Sequence, residues 1–119
     1  MPREILLVED DPHQAEIFSF ALGQTGLIVH HLKDGAEVLP FLKEHAPELV
    51  VLDLHLPNLR GDKILQALRA NPATANCKVI LATADPRLAD RLQDQADLVL
   101  LKPISYQQLK ELAKRLLAD

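Results

Sequence analysis

Short apolar runs alternate with amphipathic stretches from one end of this 119-residue chain to the other. The runs are Glu4–Val8, Leu27–Leu32, Leu49–Leu52, Lys78–Ala82 and Leu98–Leu101. Runs such as Leu49–Leu52 are apolar without interruption, as strands covered on both faces must be. The first intervening stretch opens with Asp11-Pro12-His13-Gln14. Asp is placed at the N-cap, Pro in the first turn and Gln for a capping box. Ile17, Phe18, Ala21 and Leu22 then form an apolar stripe, and Gly23 and Gly26 bracket the exit. A second helix is predicted over Gly35–Glu44, with Pro40 interrupting its pattern. A third spans Asp62–Ala70 and stops at the turn Asn71-Pro72. A short polar helix covers Arg87–Gln93, and the last, Ser105–Leu117, carries Leu109, Leu112, Ala113, Leu116 and Leu117 on one face.

Five strands alternating with five helices predict an α/β domain over residues 1–119, its parallel sheet built by right-handed crossovers. Neither repeats nor low-complexity tracts interrupt it. The net charge of -4 argues against a nucleic-acid surface, which needs a basic stripe. The lone Cys77 cannot close an internal disulfide, so it reads as an inert filler thiol in a reducing compartment. The N-terminal apolar run is too short for a signal core or a membrane span. A cytoplasmic protein is expected. With aromatics at 3%, a flat-cofactor or base-stacking site is disfavoured.

The chemistry gathers where strands run out. Asp53 ends Leu49–Leu52, Glu9-Asp10 follow Val8, Thr83 follows Ala82 and Lys102 follows Leu101. In doubly wound sheets, ligands bind beyond the carboxyl ends of the strands, where strand order reverses. If the first and third strands are neighbours, Glu9, Asp10 and Asp53 share one pocket. Three carboxylates that close repel one another, and a hard dication such as Mg²⁺, or Mn²⁺, neutralises them. Asp53 then suits nucleophilic attack on phosphorus, with Lys102 and Thr83 stabilising the transferring oxygens. The alternative for Glu9 and Asp10 is a pair of surface acids near a helix cap, a job Asp11 already fills. His13, His30, His31, His45 and His55 show no zinc-ligand spacing, and His30 and His31, adjacent on a strand, should face opposite sides.

These pieces, in order and at these spacings, resemble the receiver domain of two-component response regulators. The resemblance rests on Ile5-Leu6-Leu7-Val8-Glu9-Asp10-Asp11-Pro12 and on the loop from Asp53 through Pro57 to Gly61. Leu81-Ala82-Thr83-Ala84, Ala96-Asp97 and Lys102-Pro103 complete it. It implies a flavodoxin-like sheet of strand order 2-1-3-4-5, the order for which a member of this family is the stock illustration. It implies that Asp53 accepts a phosphoryl group from a sensor histidine kinase or phosphotransfer protein. Mg²⁺ would be held by Asp10, Asp53 and the backbone carbonyl of His55, with Glu9 reaching it through water. Thr83 and Lys102 would be phosphoryl ligands, and the Lys102-Pro103 peptide would be cis. His55 and Asp85 stand at positions that influence phosphate lifetime in the family.

The chain departs from the family at Val99, where an aromatic ring is usual, and at Leu98 and Leu101, which replace an acid and a small polar residue. The edge formed by the fourth helix, fifth strand and fifth helix is therefore expected to be apolar, a docking face for an effector or a second copy of the chain. The leading function is a phosphorylation-driven signalling switch without an external substrate, hence not an enzyme. A phosphorylation-independent docking or dimerisation module is the second reading, kept open by Val99. A flavodoxin-like cofactor binder lacks a phosphate loop and flavin-stacking aromatics, and an aspartate-nucleophile phosphatase lacks chain for a cap.

Overall fold

The computed structural model describes residues 3–56 and 60–118. One parallel sheet holds β1 (Glu4–Val8), β2 (Ile28–Leu32), β3 (Leu49–Asp53), β4 (Lys78–Thr83) and β5 (Leu98–Leu101), in the order β2-β1-β3-β4-β5. Every expected strand is present. β3 and β4 run past their apolar stretches to take in Asp53 and Thr83, because the backbone ladder continues there. Asp53 stands in register with Ala82, and the Lys102 N–H donates to the Thr83 carbonyl at 2.8 Å.

Alternate strand positions feed two separate cores, which is why the runs are apolar throughout. Leu6, Val8, Val50, Leu52, Val79 and Leu81 face α2 (Val38–Leu42), α3 (Gly61–Ala70) and α4 (Pro86–Leu92). Ile5, Leu7, Leu49, Val51, Ile80 and Ala82 face α1 (Pro12–Gly23) and α5 (Tyr106–Leu117). Each fully buried Leu or Ile contributes about 1.5–3 kcal/mol, so these two layers dominate stability and hold the strand ends in place. Cys77 packs against the first core, and burial pushes its thiol above the ordinary range.

Three local expectations are corrected. Asp11 caps α1, accepting from the N–H groups of His13 (2.9 Å) and Gln14 (3.3 Å), but the capping box does not form. The Asp11 N–H donates instead to Glu9 Oε2 at 3.2 Å, so the acid before the helix supplies the reciprocal acceptor. The predicted second helix divides into a 3₁₀ turn, Gly35–Glu37, and the short α2. Pro40 is the third residue of α2, where no intrahelical donor is needed, so it sits in the first turn without breaking a bond. Finally, α4 starts one residue early because the Asp85 side chain caps it, accepting from the Arg87 N–H at 3.0 Å.

Candidate functional site

The sheet register builds the site. Val8 pairs with Leu52, so the next residues, Glu9 and Asp53, emerge side by side at the sheet's carboxyl edge. Thr83 pairs with Leu101 on the neighbouring strands, which brings Lys102 to the same edge. Lys102 Nζ lies 3.2 Å from Glu9 Oε1 and 3.3 Å from Asp53 Oδ2. Asp10, exposed beside them, offers a carboxylate oxygen such that those of Glu9, Asp10 and Asp53 all fall within 4.8 Å of one another. Residues spread over more than ninety positions of sequence meet in one pocket, as the strand-end reading expects.

Its electrostatics are lopsided. Glu9 is 1% exposed and Asp53 4%, and one ammonium faces both. Burial, then the charge of Asp53, pushes the Glu9 carboxyl from 4.5 up to about 7. Burial alone would pull Lys102 down, but Asp53 and Glu9 outweigh it and hold the ammonium above its ordinary value. With Asp10 added, three carboxyls gather beside one ammonium that contacts two of them, so the pocket carries surplus negative charge on oxygen donors alone. That is the donor set a hard dication requires.

Asp53 keeps one oxygen committed, its Oδ1 accepting from the His55 N–H at 2.9 Å. Thr83 is fully buried, and its Oγ1 accepts from the Asp85 N–H at 3.0 Å and lies 3.0 Å from His55 Nε2. The His55 ring thus folds over the pocket onto the hydroxyl, a contact that no spacing rule foretells. Behind Asp53, Gly61 opens α3 against the end of β3. A Cβ there would stand 2.7 Å from the Leu54 Cα and 2.8 Å from the Asp53 carbonyl oxygen. The Lys102-Pro103 peptide is cis. Pro57 lies outside the described residues.

The model of the family described as the response regulator receiver domain matches residues 5–114. The chain belongs to that family. Among curated relatives it is 32% identical to the DNA-binding dual master transcriptional regulator RpaA of Synechocystis, over 98% of this chain and 49% of that protein. It is 27% identical to the polar-differentiation response regulator DivK of Brucella anthropi, over 100% of this chain and 99% of that one. The receiver spans about half the length of RpaA and of its mycobacterial relative MtrA. Among solved structures, the signal receiver domain of a histidine kinase from Syntrophus aciditrophicus superposes with a TM-score of 0.85 at 36% identity, covering 97% of this chain and 89% of that one. The receiver domain of a sensor histidine kinase from Pseudomonas aeruginosa PAO1, which holds a magnesium ion in its active-site cleft, has a TM-score of 0.84 at 27% identity, covering 97% of each chain. Receivers of this kind are signalling domains of two-component systems, in which response regulators partner with histidine kinases.

The receiver's departures from its family fall unevenly on the structure. Val99 is half-buried against the α2–α3–α4 core, and Leu98 against the other. Leu101 is the most exposed of them at 48%, and with the half-buried Leu98 and Val99 it lines a shallow pocket against α4. Larger apolar exposure lies on α1, where Phe20, 65% exposed, stands 5.5 Å from the Tyr106 ring. Asp97 has a structural duty that the motif alone does not reveal. Its Oδ2 accepts from the Val79 N–H at 2.7 Å and tethers the start of β4. Among the described residues, no helix is long and apolar enough to cross a membrane.

Proposed function

We propose that this receiver is a Mg²⁺-dependent phosphoacceptor switch working in the cytoplasm, with Asp53 as acceptor for a sensor histidine kinase or phosphotransfer protein. One Asp53 carboxylate oxygen forms a bond to phosphorus while the P–N bond of the donor phosphohistidine breaks. The electron pair leaves on the imidazole nitrogen, which takes a proton. In the reverse duty, water adds to phosphorus, the acyl phosphate P–O bond breaks, and Asp53 regains its carboxylate as inorganic phosphate departs. Both steps regenerate the same chain and turn over no separate substrate, so the protein acts as a switch and not as an enzyme in the ordinary sense.

Positioning and charge do most of the work in such a transfer. Lys102, already within 3.3 Å of Asp53, would follow the phosphoryl oxygens, and the Thr83 hydroxyl would donate to one of them after leaving His55. Glu9, Asp10, Asp53 and the backbone carbonyl of His55 would hold Mg²⁺, with Mn²⁺ a second fitting ion. When bound, the ion offsets the pocket's surplus charge and draws the phosphoryl oxygens in. The observation that carries the reading is the single ammonium shared by two buried carboxylates at the strand ends.

The output is proposed to run through β5, because Lys102 N–H and Thr83 carbonyl tie that strand's end to the pocket at 2.8 Å. The face of α4, β5 and α5, with Leu101 exposed, would then meet an effector or a second copy of the chain. A constitutive docking module finds no observation in its favour. The test is phosphorylation by acetyl phosphate with Mg²⁺: the native chain gains one acid-stable, base-labile phosphoryl group and Asp53→Asn gains none. Equal labelling of the variant at this pocket would overturn the assignment. Gel filtration with beryllofluoride and Mg²⁺ separates the switch from the docking module, which would bind its partner equally without them.

A further inference from the structure

A second cluster sits at the opposite end of the sheet, roughly 16 Å along β1 from the acidic pocket. Glu4 opens β1, and His30 lies in β2 diagonally across from it, since Leu6 pairs with His30. His45 follows the end of α2, whose last turn directs it back onto the same sheet face. His30 Nε2 is 2.8 Å from Glu4 Oε1, and His45 Nδ1 is 3.1 Å from the same oxygen and 3.3 Å from Oε2. The three donors satisfy the mutual 4.8 Å separation of a metal-binding group.

We propose that Glu4, His30 and His45 form a site for a transition-metal dication of the Zn²⁺ class, distinct from the Mg²⁺ pocket. The donor chemistry decides the ion. Two imidazole nitrogens and one carboxylate oxygen are the ligand set of open zinc centres, with a fourth position for water. Mg²⁺ prefers oxygen alone, which leaves it to the other end of the sheet. A tetrahedral Zn²⁺ with bonds of about 2.0–2.1 Å holds its donors about 3.3 Å apart. The observed separations of 2.8 and 3.1 Å fall short by only a few tenths of an ångström. Entry of the ion thus needs a slight spreading of the side chains and a shift of each ring proton to the other nitrogen.

The rings are also held in place. Phe41 stacks on His45 at 4.1 Å with planes 4° apart, and its centroid is 5.2 Å from that of His30. A single histidine would be enough to pair Glu4; here two converge on one oxygen, one from β2 and one from the segment after α2. Both histidine side chains remain 31% exposed, so an ion and its water can reach them. Bound there, the metal would clasp the β1–β2 edge to the end of α2.

The experiment is isothermal titration of the full chain with Zn²⁺ in excess Mg²⁺, with Co²⁺ absorption as an independent readout of tetrahedral coordination. One Zn²⁺ per chain is expected. His45→Gln or His30→Gln should weaken it at least about tenfold, while Asp10→Asn leaves it unchanged. Imidazole ¹⁵N shifts should report coordination through Nε2 of His30 and Nδ1 of His45. No uptake, uptake indifferent to both histidine variants, or uptake lost in Asp10→Asn would overturn the site and leave a hydrogen-bonded cluster only. If His30→Gln does not fold, His45→Gln, outside the regular elements, carries the test. The outcome is independent of the phosphoacceptor reading, since Asp53→Asn should bind Zn²⁺ as the native chain does.

Discussion

His55 Nε2 lies 3.0 Å from Thr83 Oγ1, so the side chain two positions beyond Asp53 covers the hydroxyl proposed to meet a phosphoryl oxygen. With the hydroxyl donating to the ring, phosphorylation would exchange one partner for the other. Removing the ring by His55→Ala eliminates that competition. A hydrogen bond is worth about 0.5–1.5 kcal/mol net, so phosphorylation by acetyl phosphate should quicken about two- to tenfold. Phosphate-affinity electrophoresis over a time course measures it, and a slower rate in the variant would show that the ring assists Thr83.

Lys102 balances two carboxylates that have almost no solvent. Lys102→Ala leaves them facing each other and should cost about 3 kcal/mol at pH 8 without metal, since breaking a buried pair strands the remaining charge. The penalty should shrink near pH 5, where Glu9 is protonated and can hydrogen-bond to Asp53. Urea unfolding of both proteins at the two pH values checks the difference.

Glu9 gives the metal-free protein an inverted pH response. Its carboxyl rises from 4.5 unfolded to about 7 folded, first through burial and then through Asp53. The folded state therefore binds this proton more tightly than the unfolded chain. The stabilisation is complete below pH 4.5 and is lost as the pH climbs through 7. In EDTA, Tm should fall between pH 5 and pH 8, and Glu9→Gln should flatten that slope. Millimolar Mg²⁺ at pH 8 should raise Tm again, because an ion that binds only the folded state stabilises by mass action.

Gly61 lets α3 begin against the backbone of Asp53 and Leu54. Gly61→Ala drives a methyl to 2.7 Å from the Leu54 Cα and 2.8 Å from the Asp53 carbonyl, both backbone atoms without freedom to yield. Overpacking of this kind costs about 1–3 kcal/mol. Displacing Asp53 should also slow phosphorylation more than the stability loss accounts for, which parallel melting and labelling experiments would reveal.

Much of the acidic pocket is readable from the chain because its residues follow strands whose apolar runs are unmistakable. Leu49–Leu52 and Leu98–Leu101 stop at the carboxyl ends of their strands, so Asp53 and Lys102 come out at the same edge of a parallel sheet. The capping box at Gln14 fails because the competing acceptor, Glu9, is set by the sheet and not by the helix. Histidine spacing is silent on the Glu4 cluster for a related reason. A spacing rule reads along one element, whereas Glu4 lies in β1, His30 in β2 and His45 in the segment after α2.

Alternation of apolar runs with amphipathic stretches, together with acid, hydroxyl and ammonium at the strand ends, was enough by itself to determine the α/β architecture and the chemistry of one pocket. Both follow from local periodicity and from the directionality of parallel strands. Folding alone decided that His55 closes onto Thr83, that Lys102 bridges two acids, and that two histidines converge on Glu4. Those contacts join residues 26 to 93 positions apart. They depend on strand register and on the seat of each helix against the sheet, which packing of both cores sets as a whole.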